Sequence, residues 1–97
     1  MLIKAGVDIS RLNREIRRAM PKVAHILWKY EKAFIITSTY EGSHGIGSLH
    51  YGNDAFDCRG PKVNRSLCIT ELKGKLGRHY DVVNEADHIH IEWDPKN

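Results

Sequence analysis

The segment from Asp87 to Trp93, DHIHIEW, constrains the chain more than any other. Side chains alternate along an extended strand, so Ile89, Ile91 and Trp93 share one face and His88, His90 and Glu92 the other. The apolar face calls for helices packed against it. Two imidazoles and a carboxylate make a poor core unless they bind something.

That strand has to sit in a small molecule. With 97 residues there is room for one domain, 1–97, and little for a second core. A composition 41% hydrophobic and 28% charged is that of a folded domain rather than a disordered chain. At this size a bound metal would add useful stability. No apolar run approaches the roughly 20 residues that span a bilayer, which predicts no membrane insertion. Lys4, Asp8 and Arg11 interrupt the apolar character that a secretory signal needs. The expected location is therefore the cytoplasm at synthesis.

Elsewhere the pattern reads as helix first, then strands with one helix inserted. Ile9, Leu12, Ile16, Ala19, Val23, Leu27 and Tyr30 keep a period near 3.6, with Ser10 as N-cap. Pro21 predicts a kink or two short helices. Phe34–Thr39 and Ala55–Cys58 read as strands, separated by a glycine-rich loop at Glu41–Gly47. A second helix follows, with Pro61 near its first turn, Ile69, Leu72 and Leu76 on one face, and Gly77 as its stop. Tyr80–Val83 and His88–Trp93 form two strands joined by the turn Asn84–Asp87.

Net charge is +3, with cations gathered early at Arg11, Arg14, Arg18 and Lys22 along one helical stripe. A solvated helix face explains this stripe. An anionic partner, nucleic acid or a wall polymer, is the alternative, and the lack of interleaved aromatics weakens the nucleic-acid version. The two cysteines, Cys58 and Cys68, lack CxxC spacing and read as reduced and buried. In a strand Cys58 points away from the face that carries Asp57.

About thirty residues before the last strand lies SLHYGNDAFD, Ser48 to Asp57. His50, Asp57 and His90 offer three His and carboxylate ligands, the number a catalytic Zn²⁺ takes while a fourth position stays open. A metallohydrolase is the leading reading on these residues.

The two segments together resemble the zinc D-Ala-D-Ala carboxypeptidase and Hedgehog signalling-domain superfamily. This group includes vancomycin-resistance dipeptidases and phage endolysins that cut between L-Ala and D-Glu. Ser48, His50 and Asp57 match its first motif in spacing, Ala55 matches a small residue two before the Asp, and His90 corresponds to its last zinc ligand. The resemblance covers roughly Phe34 to Glu92. It implies a compact α+β fold and an antiparallel sheet with one Zn²⁺ on its face, to which the hydrophobic pattern adds the N-terminal helices and one inserted helix.

A mechanism is implied too: the metal acidifies a water and polarises the scissile carbonyl, while a carboxylate moves the proton. Asp87, three residues before His90, holds the place of that base, with Glu85 as the runner-up. His44, six before His50, is placed to donate to the oxyanion. Ser48 supports the site by hydrogen bonding, and His88 is a contact for substrate or for the ligands. Asn53 stands where the peptidases carry Gly, a position Asn can serve in the left-handed turn. Glu41 stands where they carry an Arg that grips a substrate carboxylate, which leaves Arg59 as the candidate for that task.

The expectation is thus a monomeric zinc metallopeptidase acting on bacterial peptidoglycan peptides, released by lysis if phage-encoded. A non-catalytic zinc-containing binding domain is the first rival. A small metal-dependent nuclease, supported only by the basic helix, is the second.

Overall fold

The computed structural model describes residues 1–39 and 53–96. Glu41, His44, Ser48, His50 and the glycine-rich loop lie outside the described residues. The elements run β1 (Leu2–Ile3), α1 (Arg14–Lys29), β2 (Ile35–Ser38), β3 (Ala55–Cys58), α2 (Arg65–Leu76), β4 (Tyr80–Asn84) and β5 (Ile89–Trp93). Two helices pack on one five-stranded sheet ordered β1-β2-β3-β5-β4, an α+β arrangement.

The sheet is mixed rather than antiparallel throughout. β1 runs parallel to β2, and the other neighbours are antiparallel. Two residues are too few to carry an alternation, so β1 left no trace in the pattern. The backbone shows it: the Leu2 N–H donates to the Phe34 carbonyl at 2.8 Å and the Lys4 N–H to the Ile36 carbonyl at 2.9 Å.

One helix, not two, stands at the N-terminal side. Its first residue is Arg14 and its cap position Asn13, so Ser10 is no N-cap; the Ser10 N–H is bonded locally to Asp8 Oδ1 at 2.8 Å. α1 runs unbroken through Pro21. The proline ring sits on the exposed side, where water can serve the carbonyl it leaves without a donor, while Ile16, Ala19, Met20, Val23, Ile26 and Leu27 hold both halves of the helix to the core. Pro61 likewise falls short of α2, which starts four residues later behind Asn64 in a left-handed conformation. Gly77 ends α2 at φ 88°, a value that favours glycine.

Core and site lie on opposite faces of the same strands. Phe56, Cys58, Ile89 and Ile91 are fully buried and join the helices' apolar side chains in one cluster. Trp93 meets the ring of Tyr80 edge-on, and the Tyr80 hydroxyl donates to the Glu15 carbonyl at 2.6 Å, tying β4 to α1. Among the described residues no helix is long and apolar enough to cross a membrane.

Candidate metal centre

Register makes the site. β3 and β5 pair so that Asp57 faces His90 and Ala55 faces Glu92. On the side away from the helices the fully buried Ala55 shares its face with a carboxylate, an imidazole and a second carboxylate. Asp57 is buried, and its Oδ1 lies 2.8 Å from His90 Nδ1. The other ring nitrogen of His90, Nε2, is in contact with Glu92 Oε1. Both nitrogens of one imidazole are therefore held by carboxylates.

Electrostatics follow from that clasp. Burial works against a charge on His90, but the hydrogen bonds to Asp57 and Glu92 outweigh it and hold the imidazole above its ordinary value. His88 extends the network: its Nε2 is 3.6 Å from Asp57 Oδ2, and its Nδ1 lies 2.6 Å from Asp87 Oδ1. The hydrogen bond from His88, with its charge, holds the Asp87 carboxyl below the usual carboxylate range. Asp87 thus reaches Asp57 through His88. Glu85 sits in the β4–β5 turn, with its backbone N–H bonded to the His88 carbonyl at 3.0 Å.

Arg65, at the start of α2, fixes that turn. Its guanidinium donates to Asn84 Oδ1 at 2.6 Å, to the Glu85 carbonyl at 3.0 Å and to the His88 carbonyl at 2.9 Å. Nothing in the sequence announces this role, because α2 and the turn are 19 or more positions apart along the chain.

A cleft of about 410 Å³ opens at the Asp57–His88–Asp87 end of this network, lined also by Lys4, Thr37, Ser38 and Arg59, while His90 and Glu92 lie outside its lining. Arg59 therefore does border the site, and Lys4 brings a second exposed cation. Lys4 was illegible for the same reason as β1, whose end carries it. Glu85 is not among the lining residues. Asn53 holds φ 63°, the left-handed turn expected of it.

Of the three expected ligands, Asp57 and His90 lie side by side, and His50 falls outside the described residues. The donor set of the pair suits Zn²⁺, being one nitrogen and one carboxylate oxygen. A carboxylate on the far nitrogen of the imidazole is the usual support for a metal-bound His. Nearby, ligand atoms of Asp81, Glu92 and Asp94 fall within 4.8 Å of one another and could also hold a metal ion. Those groups already have partners, since Lys96 Nζ donates to Asp81 at 2.7 Å and to Asp94 at 3.2 Å, while Glu92 contacts His90.

No protein-family model matches the chain, and no curated protein or solved structure does.

Proposed function

We propose that the chain is a zinc-dependent peptidase that hydrolyses an amide bond in bacterial cell-wall peptides. The observation that carries this reading is the Asp57–His90 pair, in register and backed by Glu92, with Asp57 lining a cleft. His50, Asp57 and His90 would hold the metal, which when bound supplies a Lewis acid for the carbonyl and lowers the pKa of a water towards ~7.

The chain's own residues supply the rest. Glu92 holds the Nε2 side of His90, which leaves Nδ1, the atom beside Asp57, as the ligating nitrogen. Asp87 accepts the proton of the attacking water, and His88, bonded to it, steadies the carboxylate and can carry the proton onward to the leaving amine. Lys4 and Arg59 at the cleft rim receive an anionic group of the substrate, a role that suits the carboxylates of wall peptides.

The second reading, a zinc-holding domain without catalysis, is favoured by one fact: a carboxylate held below its usual range is a weaker base. Digestion of purified peptidoglycan with product identification, run beside metal analysis, separates the two. The expected outcome is one zinc per chain and new amino and carboxyl ends in the wall peptide. Asp87→Asn should lower turnover by about 10²- to 10⁴-fold and leave zinc in place. Zinc retained with no cleavage would leave the binding domain as the answer, and zinc unaffected by His90→Ala would remove the site.

A further inference from the structure

We propose that the outer side of α1 is a docking surface for an anionic phospholipid bilayer, on which the protein lies without spanning it. Three arcs run along this helix. Ile16, Ala19, Val23, Ile26 and Leu27 face the core. At one residue per 100°, Pro21, Ala24 and Trp28 form the next arc, and Arg14, Arg18, Lys22 and His25 the one beyond it.

Arg17 also falls in the middle arc, its guanidinium donating to the Leu12 carbonyl at 2.8 Å and to the Ile9 and Ser10 carbonyls at 3.3 Å, and the other three members are apolar. Trp28 is 76% exposed, an unusual position for the largest apolar side chain of a helix. One turn back, Ala24 and Pro21 line a groove of about 390 Å³ together with Met1, Ile9, Met20 and Phe34, with Arg17 also present. Ile3, on the same side of β1 as Met1 by strand alternation, is exposed as well. A single exposed apolar residue needs no explanation, but a groove with an exposed indole one turn beyond it does, even though the indole borders a separate hollow with Lys29, Glu31 and Lys32.

The cationic arc decides the occupant. Glu15 is the only acid in α1, at its first turn, where Arg14 pairs with it at 3.0 Å. Arg18 and Lys22 are exposed, and no ion pair engages them among the described residues. An apolar strip with an interfacial Trp, flanked by Arg and Lys, matches a surface that offers acyl chains and phosphates at adjacent depths. A polynucleotide or a polyol-phosphate wall polymer would neutralise the cations but leave the groove wet. A second copy docked about a two-fold axis would bring the cationic arc towards itself. Docking here leaves the cleft at Asp57 and His88, on the opposite face of the sheet, directed away from the bilayer.

The test is co-sedimentation of the full chain with vesicles of phosphatidylcholine alone and of equimolar phosphatidylcholine and phosphatidylglycerol. Binding is expected to the anionic vesicles and to fade with added salt. The double variant Arg18→Gln/Lys22→Gln should lose on the order of 30-fold in partitioning, from roughly 1 kcal/mol per cation. Trp28→Ala should also weaken binding, with the urea midpoint of each variant near wild type because these side chains are exposed. Equal binding to both vesicle types, or unchanged partitioning in the two variants, would overturn the proposal. So would a preference for polyuridylate or polyglycerol phosphate over vesicles, or dimerisation in sedimentation equilibrium that Trp28→Ala abolishes.

Discussion

Phe56 and Asp57 are neighbours in β3, yet they face opposite fates. The ring of Phe56 is fully buried against the helices and meets Phe34 edge-on at 5.7 Å between centroids. Asp57, one residue on, turns its carboxylate to the other face and spends it on His90 and His88. Cys58 returns to the apolar side, where burial pushes its thiol up to about 12 and keeps it protonated and inert. One strand thus separates the apolar core from the polar candidate site by alternation alone, so each face can be altered with limited damage to the other.

The largest effect that tests this division comes from truncation on the apolar side. Phe56→Ala should cost about 3–5 kcal/mol, the usual range for a fully buried aromatic, measured by equilibrium urea unfolding. Asp57→Asn keeps the shape and should move the unfolding midpoint far less. Its loss should appear in zinc affinity, beyond the roughly 10- to 100-fold that removal of a supporting group costs. Equal destabilisation by the two substitutions would show the polar face to be part of the structural core, and the comparison would fail.

How far the two faces were legible in the sequence follows the same division. Alternation in DHIHIEW was enough to place His88, His90 and Glu92 together, because a period of two is local and survives without knowledge of the partner strand. The ends of β3, α2 and β4 came within a few residues for similar reasons: Gly60 and Gly77 punctuate the chain on either side of α2. What escaped depends on distant contacts. β1 exists only because β2 offers it an edge, and Lys4 joins the cleft only through β1. Arg65 serves a turn that another element supplies. The contact of Glu92 with His90 was within reach, since both lie on one strand face, but its meaning required the pairing of Asp57 with the other nitrogen.

A second, smaller effect should cross the division. Gly60 lies just beyond β3, where an added Cβ would stand 2.8 Å from Ile89 Cδ1 and 2.6 Å from Arg65 Nη1. Ile89 is fully buried and has nowhere to retreat, so Gly60→Ala should cost about 1–3 kcal/mol as overpacking does. Because Arg65 must also move, the turn that carries Asp87 and His88 should loosen, visible as faster amide exchange at Glu85. Stability lost without any change at that turn would show that Arg65 finds another route to the same carbonyls.

The smallest effect is one of pH, and it pits the polar face against itself. His90 in the metal-free fold is held above its unfolded value by Asp57 and Glu92 against the opposing pull of burial. Below the unfolded value of about 6.5 both states carry the proton and the stabilising contribution is complete. As pH rises through the raised folded value, the native state gives up its extra proton and the contribution disappears. Metal-free protein should therefore lose a little stability from mildly acidic to mildly alkaline pH, read as a falling urea midpoint, and His90→Gln should flatten that slope. Zinc affinity should run the other way, rising over the same range as His90 sheds the proton that competes for its nitrogen. Parallel trends, or a slope unchanged in His90→Gln, would mean that the carboxylate clasp on this imidazole is not what couples the face to pH.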